Sequence, residues 1–333
     1  MVTEAIREPQ PWISGGHFND IDAQAAQLHG YGQQYQQLSP GPFEGRFRSF
    51  TFGADLGIHF EMANRELAQA ASTPSGRYAA CFLSETSPPC SLNAGTFAQS
   101  HVALCPENKW LEGKTSEGVS ICCMDLAREL LPDEGYAART ARIQSDPVGA
   151  RQLRELVQSG ISVFTRLESL PSYPAAVQAF KSSLADLLWR IAGQAEDSEL
   201  RKLHHYTTAR ALQIFRRARE HIHHNLSHGI SIVTLCTDIG VSRRSLEYAF
   251  RSVVGMGPGH YIRTLQLNLI RRDLLSGVNG DISIGVLAAR HGIWHWSRFS
   301  HHYRLLFGEL PSKTRPRGAY GGSRSAAKAL ARR

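Results

Sequence analysis

Two short stretches hold the side chains best suited to reading a partner. Arg243, Arg244, Ser245, Glu247 and Tyr248 follow Gly240, and His295, Trp296, Ser297, Arg298 and His301 follow Gly292. An arginine fork bonds guanine O6 and N7 bidentately, a glutamate accepts from cytosine N4, and an aromatic ring packs on a thymine methyl. The same arginines can instead contact phosphates, which carries no sequence information, or stand solvated. Trp294 reads as helix–helix packing; Trp296 stays open between packing and contact.

Such residues need rigid elements behind them, and the sequence repeats one element twice. SIVTLCTDIGV (231–241) aligns with SIGVLAARHGI (283–293) at an offset of 52, matching Ser231 with Ser283, Leu235 with Leu287 and Gly240 with Gly292. Past the turn the offset is 53: Leu246 matches Phe299, Phe250 matches Tyr303, Gly255 matches Gly308 and Pro258 matches Pro311. One supersecondary unit used twice accounts for this. Each copy reads as a serine N-cap, a short apolar helix, a glycine able to take positive φ, a second helix, a glycine stop and a proline opening the next helix. Cys236 and Ala288 lie four residues before the glycine, where two crossing helices need a small side chain. This is the anatomy of a helix-turn-helix, at 231–254 and 283–307, whose second helix enters the DNA major groove. The segment GHYIRTLQLNLIRRDLLSG (259–277) joins the copies. About 18 helical residues span ~27 Å, close to the ~34 Å between successive major grooves on one side of DNA.

Charge agrees with this division. The 333 residues carry a net charge of +8, 42% hydrophobic and 20% charged residues, which excludes a disordered chain and suggests two domains. Residues 1–200 hold 15 Lys and Arg against 23 Asp and Glu, whereas residues 201–333 hold 22 against 6. A net of −8 is thus joined to a net of +16, and a polyanionic partner is expected for the second half alone. No window offers the ~20 apolar residues of a membrane helix. The start, MVTEAIREPQPWISGG, lacks a secretory pattern, so a cytoplasmic protein away from membranes is expected.

The first half changes character along its length. Residues 1–44, rich in Gln, Gly and Pro, read as a flexible arm. From about 46 to 125, short alternating runs broken by turn residues predict a sandwich or barrel, with RFRSFTF (46–52) and GIHFEMA (57–63) as a hairpin. Helical spacing follows to 193, and Phe180, Leu184, Leu187, Leu188 and Ile191 form one stripe, facing either the chain's own core or a second subunit. Residues 194–206 read as a linker and 317–333 as a disordered basic tail.

Other candidate chemistry is sparse. The cysteines at 81, 90, 105, 122, 123 and 236 show no zinc-ligand spacing, and free thiols are expected. Cys122 and Cys123, being adjacent on a strand, point to opposite faces; a reactive pair is the sharper alternative to a core role. Phe52, Phe60, Phe82 and Trp110 are candidates to line a ligand pocket, with barrel core the plainer role.

Residues 207–316 resemble the DNA-binding domain of AraC/XylS-type transcriptional regulators, through GVSRRSLEYAF, GMGPGHYI, LQLNLIRRDLL, LAARHGI and SRFSHHYRLLFGELPS. The resemblance implies seven helices with two helix-turn-helix units. It maps base reading onto Arg244, Glu247, Tyr248, Ser297, Arg298 and His301. His291 and Ile293 depart from the family's usual residues. Residues 45–193 are similar in arrangement to the family's cupin-like sensor, which implies an α+β multidomain chain: a β-barrel or sandwich with a helical hairpin, then an all-α domain. It further implies a small-molecule effector, RNA polymerase as a partner, an activator role and a homodimer through helices at 174–193. His59, Glu61 and His101 are the only nearby metal candidates and lack the cupin H-x-H…E pattern, so no metal, cofactor or catalysis is expected. The competing class is a β-barrel metal-dependent enzyme, or a cysteine-based chemical sensor, with a DNA-binding appendage.

Overall fold

The structure is a computed structural model. It describes residues 12–131, 141–166, 173–193, 199–277 and 282–315, leaving out the side chains of residues 199–206, 228, 296 and 297.

Alternating strands build two antiparallel sheets. The first has seven strands in the order β1 (Ile13–Phe18), β3 (Gly45–Thr51), β4 (Leu56–Ala63), β11 (Val119–Ala127), β6 (Arg77–Leu83), β9 (His101–Cys105), β12 (Arg142–Ser145). The second has five: β2 (Gly32–Gln37), β5 (Leu67–Ser72), β10 (Trp110–Thr115), β7 (Cys90–Leu92), β8 (Gly95–Phe97). The predicted hairpin is β3–β4, in register from Gly45↔Ala63 to Thr51↔Gly57. Asn93 and Ala94 turn β7 into β8 at φ 47° and 62°, the left-handed geometry that a two-residue hairpin demands.

Both faces of the seven-stranded sheet are covered. Ile58, Ala80, Phe82, Cys122 and Met124 face two helices, α2 (Pro147–Phe164) and α3 (Pro174–Ala192), and share a core with Leu153, Val157, Phe164 and Phe180. Cys81, Leu83 and Cys123, one residue out of step, face the second sheet. The adjacent cysteines therefore part, Cys122 to the helices and Cys123 to the sheet–sheet interior.

Two expectations change here. Residues 12–44 are not a loose arm: β1 pairs with β3, β2 pairs with β5, and Asp20 caps the short helix α1 (Ile21–Ala25). Cross-strand hydrogen bonds order a segment whose Gln- and Gly-rich composition carries little apolar signal. The α3 stripe of Phe180, Leu184, Leu187, Leu188 and Ile191 is buried on the chain's own core, so it is not the seam of a second subunit. Trp189 is left half-exposed on that helix. The expected tail, 317–333, lies outside the described residues.

The C-terminal half is helical: α4 (Glu199–Asn225), α5 (Ile232–Ile239), α6 (Arg243–Val254), α7 (Pro258–Ser276), α8 (Ile284–Arg290), α9 (Trp296–Phe307) and α10 (Pro311–Thr314). Helix α4 begins inside the segment read as a linker. Phe215 on α4, Phe250 on α6 and Tyr261 on α7 meet edge to face within 5.6 Å and centre the first core. Leu267, Ile270 and Leu274 of α7, with Leu287, Phe299 and Tyr303, form the second. Among the described residues, no helix is long and apolar enough to cross a membrane.

Candidate nucleic-acid interface

The two repeats fold alike down to individual hydrogen bonds. Ser231 accepts from the Thr234 N–H at 3.0 Å, and Ser283 accepts from the Val286 N–H at 3.2 Å. After α5 the Val241 N–H reaches the Cys236 carbonyl at 3.0 Å; after α8 the Ile293 N–H reaches the Ala288 carbonyl at 3.0 Å. Gly240 and Gly292 take φ 66° and 77° between them, a left-handed turn that any side chain would strain. Gly255 and Gly308 end α6 and α9 in the same left-handed form. Helix α7, 19 residues and about 28 Å long, carries both units.

The early residues of α6 form an open face. Arg243, Arg244 and Tyr248 are exposed, Tyr248 by 55%, while Ser245 and Glu247 are half-buried. Ser242 caps the helix by accepting from the Ser245 N–H at 3.1 Å, so Ser245 sits in the cap rather than at the tip. Glu247 lies 3.7 Å from Arg251 one turn on. His295 at the N-cap of α9, and Arg298 and His301 on the helix, are exposed; the side chains of Trp296 and Ser297 lie outside the description. His302 is held below the usual imidazole value, first by burial and then by the charges of Arg263, His301 and Arg298.

Two residues of the second unit now have reasons. Trp294 is not packed between helices but 62% exposed. It is the residue gained where the offset passes from 52 to 53, so it has no counterpart to share a packing site with. His291, standing where the first copy has Ile239, bonds Asp273 of α7 at 2.8 Å. A polar tie from unit to connecting helix thus replaces an apolar one.

The N-terminal domain grips this domain through its five-stranded sheet. Asn268 on α7 accepts from the Gln37 N–H at 2.9 Å and donates to the Gln37 carbonyl at 3.0 Å. Glu112 on β10, 2% exposed, accepts from Arg219 of α4 at 2.6 Å and also from Arg216. Ser91 on β7 donates to the Ser252 carbonyl near the end of α6 at 2.9 Å. Gln37 Nε2 and the Gly41 N–H donate to the Leu306 carbonyl near the end of α9, at 2.7 and 3.0 Å. Helices α6 and α9 are therefore held near their C-terminal ends, while Arg243, Arg244 and Tyr248 of α6 and Arg298 and His301 of α9 are exposed. None of the residues that make this grip was singled out in the sequence, where partners more than 100 positions apart leave no local mark.

The same sheet walls a cavity of about 70 Å³ between the two sheets. Tyr35, Gln69 and Leu111 face the cavity, while Gln36, Ala70 and Glu112, one residue away, face the helices. Glu61 is buried in the cavity wall and accepts from Gln24 at 2.9 Å and Tyr35 at 3.0 Å. Burial pushes its carboxyl up, against those two hydrogen bonds. Burial would raise the nearby Asp125 as well; the His59, Arg77 and Tyr31 groups that bond it outweigh burial and hold it below the usual range. Phe52, Phe60, Phe82 and Trp110 do not line this cavity. Phe52 packs on Phe164 and Phe180, Phe60 on Phe50, and Phe82 faces the helices, because these even-numbered residues point outward from the sheet. Trp110 packs beside Gly32 at the end of β10.

His59, Glu61 and His101 do not converge. His59 bonds Ser49 and Asp125, whereas His101 accepts from the Ala98 N–H on another strand. Among the described residues no three His, Cys, Asp or Glu side chains are placed to hold a metal.

Comparison with known proteins places the C-terminal domain. A helix-turn-helix domain family matches residues 235–317. The XylDLEGF operon transcriptional activator 1 of Pseudomonas putida is 39% identical over 101 residues, 30% of this chain and 30% of that protein. The regulatory protein HrpB of Ralstonia nicotianae is 36% identical over 108 residues, 32% of this chain and 23% of that protein. The alignments span under a third of these relatives' lengths. The AraC-like transcriptional activator CuxR overlays at a TM-score of 0.40 and 17% identity, covering 83% of this chain and 100% of that one, a likeness too slight to carry an argument. The doubled helix-turn-helix is thus matched by a helix-turn-helix domain family over residues 235–317, and over about a hundred residues the C-terminal half is similar to operon transcriptional activators.

Proposed function

We propose that the protein is a sequence-specific DNA-binding regulator, and an activator, that sets α6 and α9 into successive major grooves and responds to a small molecule in its N-terminal cavity. One observation carries the reading: two matched helix-turn-helix units share α7 and leave the early, basic residues of both second helices open. Arg244, Glu247 and Tyr248 read bases from α6, and Ser297, Arg298 and His301 from α9. Arg243, His295 and Trp296 complete the contact, and Ser245 supports it at the α6 cap. The partners are double-stranded DNA and RNA polymerase, which places the working protein in the cytoplasm. Pairing of two copies, where it occurs, has the Trp189 side of α3 available.

The effector is neutral or cationic. Among the described residues the cavity lining holds the Glu61 carboxyl and no Lys, Arg or His, so an anion would meet no counter-charge from them. A ligand against Tyr35 or Leu111 presses on strands whose next residues, Gln36 and Glu112, hold the DNA-binding helices. Occupancy is thereby converted into a change in how α6 and α9 sit.

Selection of the full chain on a random-sequence duplex pool tests the DNA claim: a motif with two half-sites is expected, and a pool that stays random contradicts it. Thermal-shift screening tests the effector claim. Shifts from amines or neutral molecules support it, and shifts from carboxylates alone overturn it.

A further inference from the structure

Four of the six cysteines line the cavity, and they are not equivalent. Cys90 donates to the Pro88 carbonyl at 3.7 Å, and Cys105 donates to the Lys109 carbonyl at 3.3 Å. Cys81 on β6 and Cys123 on β11 have each other instead. They stand directly opposite in the strand register, with their sulfurs 2.9 Å apart. A disulfide needs opposed residues on neighbouring chain segments and sulfurs able to close to ~2.05 Å. Cys122 is excluded, because strand alternation turns it into the core against α2 and α3.

We propose that Cys81 and Cys123 are a reversible dithiol–disulfide pair that a small peroxide entering the cavity oxidises. Cys123 is the more exposed of the two and reacts first. Its thiolate sulfur attacks one peroxide oxygen, the O–O bond breaks, and the other oxygen leaves as hydroxide, which takes up a proton to become water. The resulting sulfenic acid is attacked by the Cys81 sulfur. The S–S bond forms, the S–O bond breaks, and a second water leaves. Two thiols lose two electrons and two protons; one peroxide becomes two waters. Two thiols of a reductant then reduce the S–S bond, restoring both cysteines and leaving as their own disulfide.

The surroundings set the pace. The hydrogen bond with Cys81 and burial push the Cys123 thiol well up, with Glu61 and Asp125 adding in the same direction. The thiolate is the reacting form, so oxidation is slow at neutral pH and speeds up as the pH rises. The product joins two central strands of the seven-stranded sheet and removes two thiols from the cavity wall.

The test uses the full-length protein and hydrogen peroxide. Thiols are counted in denaturant before and after treatment, and blocked samples are peptide-mapped without reduction. The expected result is a fall from six thiols to four, a single linkage joining the Cys81 and Cys123 peptides, and return to six with a phosphine reductant. The loss should be faster at pH 8.5 than at pH 6.5. Cys122→Ser should still lose two thiols, and Cys123→Ser should lose no pair. Six thiols after peroxide, a linkage through Cys90, Cys105 or Cys122, or a loss that reductant does not restore would overturn the proposal. The wild-type map decides alone if the Cys123 variant does not fold.

Discussion

The side-chain amide of Asn268 on α7 pairs with both the N–H and the carbonyl of Gln37 on β2. It satisfies the edge of the five-stranded sheet much as another strand would. Helix α7 is also the piece that joins the two helix-turn-helix units. The N-terminal domain thus holds the DNA-binding domain at the element that fixes the spacing of α6 and α9.

Asn268→Ala leaves a buried N–H and a buried carbonyl without partners. Each such loss costs about 1–3 kcal/mol, so a total of about 2–6 kcal/mol is expected. Urea unfolding measures it. A change within error would show that water replaces the amide and that the contact is dispensable.

Removing the Glu112 charge exposes the complementary relationship. Glu112→Gln strands Arg219, whose side chain is 18% exposed, without a counter-charge. A loss of about 3 kcal/mol is expected. Adding Arg219→Gln should restore part of it, and strictly additive losses would rule out the pair as a unit.

Glu61 gives stability a sign with pH. Its carboxyl is raised in the folded protein, so its favourable contribution is complete below the unfolded value and is lost as the pH climbs through the folded value. Glu61→Gln cannot ionise. The variant should therefore gain on the wild type steadily between pH 4.5 and 8.5 in thermal melts. A constant difference across that range contradicts the assignment.

Arg244 and Arg298 are expected to read bases. Each change to Ala should weaken binding to a selected site by about 1–3 kcal/mol and relax preference at one base position. Competition binding against single-base variants of the site checks this. A uniform loss on all sequences would make the residue a phosphate contact instead.

The C-terminal half is legible in the sequence because its signals are local. Ser231, Gly240, Ser283 and Gly292 act within four residues of where they stand, and the repeat doubles each signal. The sheet faces are not legible. Alternation shows which residues share a face, but both faces of the seven-stranded sheet are buried, so no polar–apolar contrast tells Phe82 from Cys81. Strand β5, LAQAAS, carries no strand-forming composition at all and is held by its neighbours on either side. Trp294 misleads for the opposite reason: its size suggests core, while its status as an inserted residue decides its exposure. The grip between the domains depends on pairs such as Gln37 and Asn268, 231 positions apart, which no window along the chain can see.

Recognition of DNA by both units is what most needs measuring. The measurement is the affinity of the full chain for a selected duplex relative to a scrambled one, at fixed salt, with a footprint of the complex. A preference of about 10³-fold or more is predicted. The footprint should show two protected major-groove segments about one helical turn apart. Equal affinity for both duplexes, or one protected segment that Arg298→Ala leaves unchanged, would contradict it.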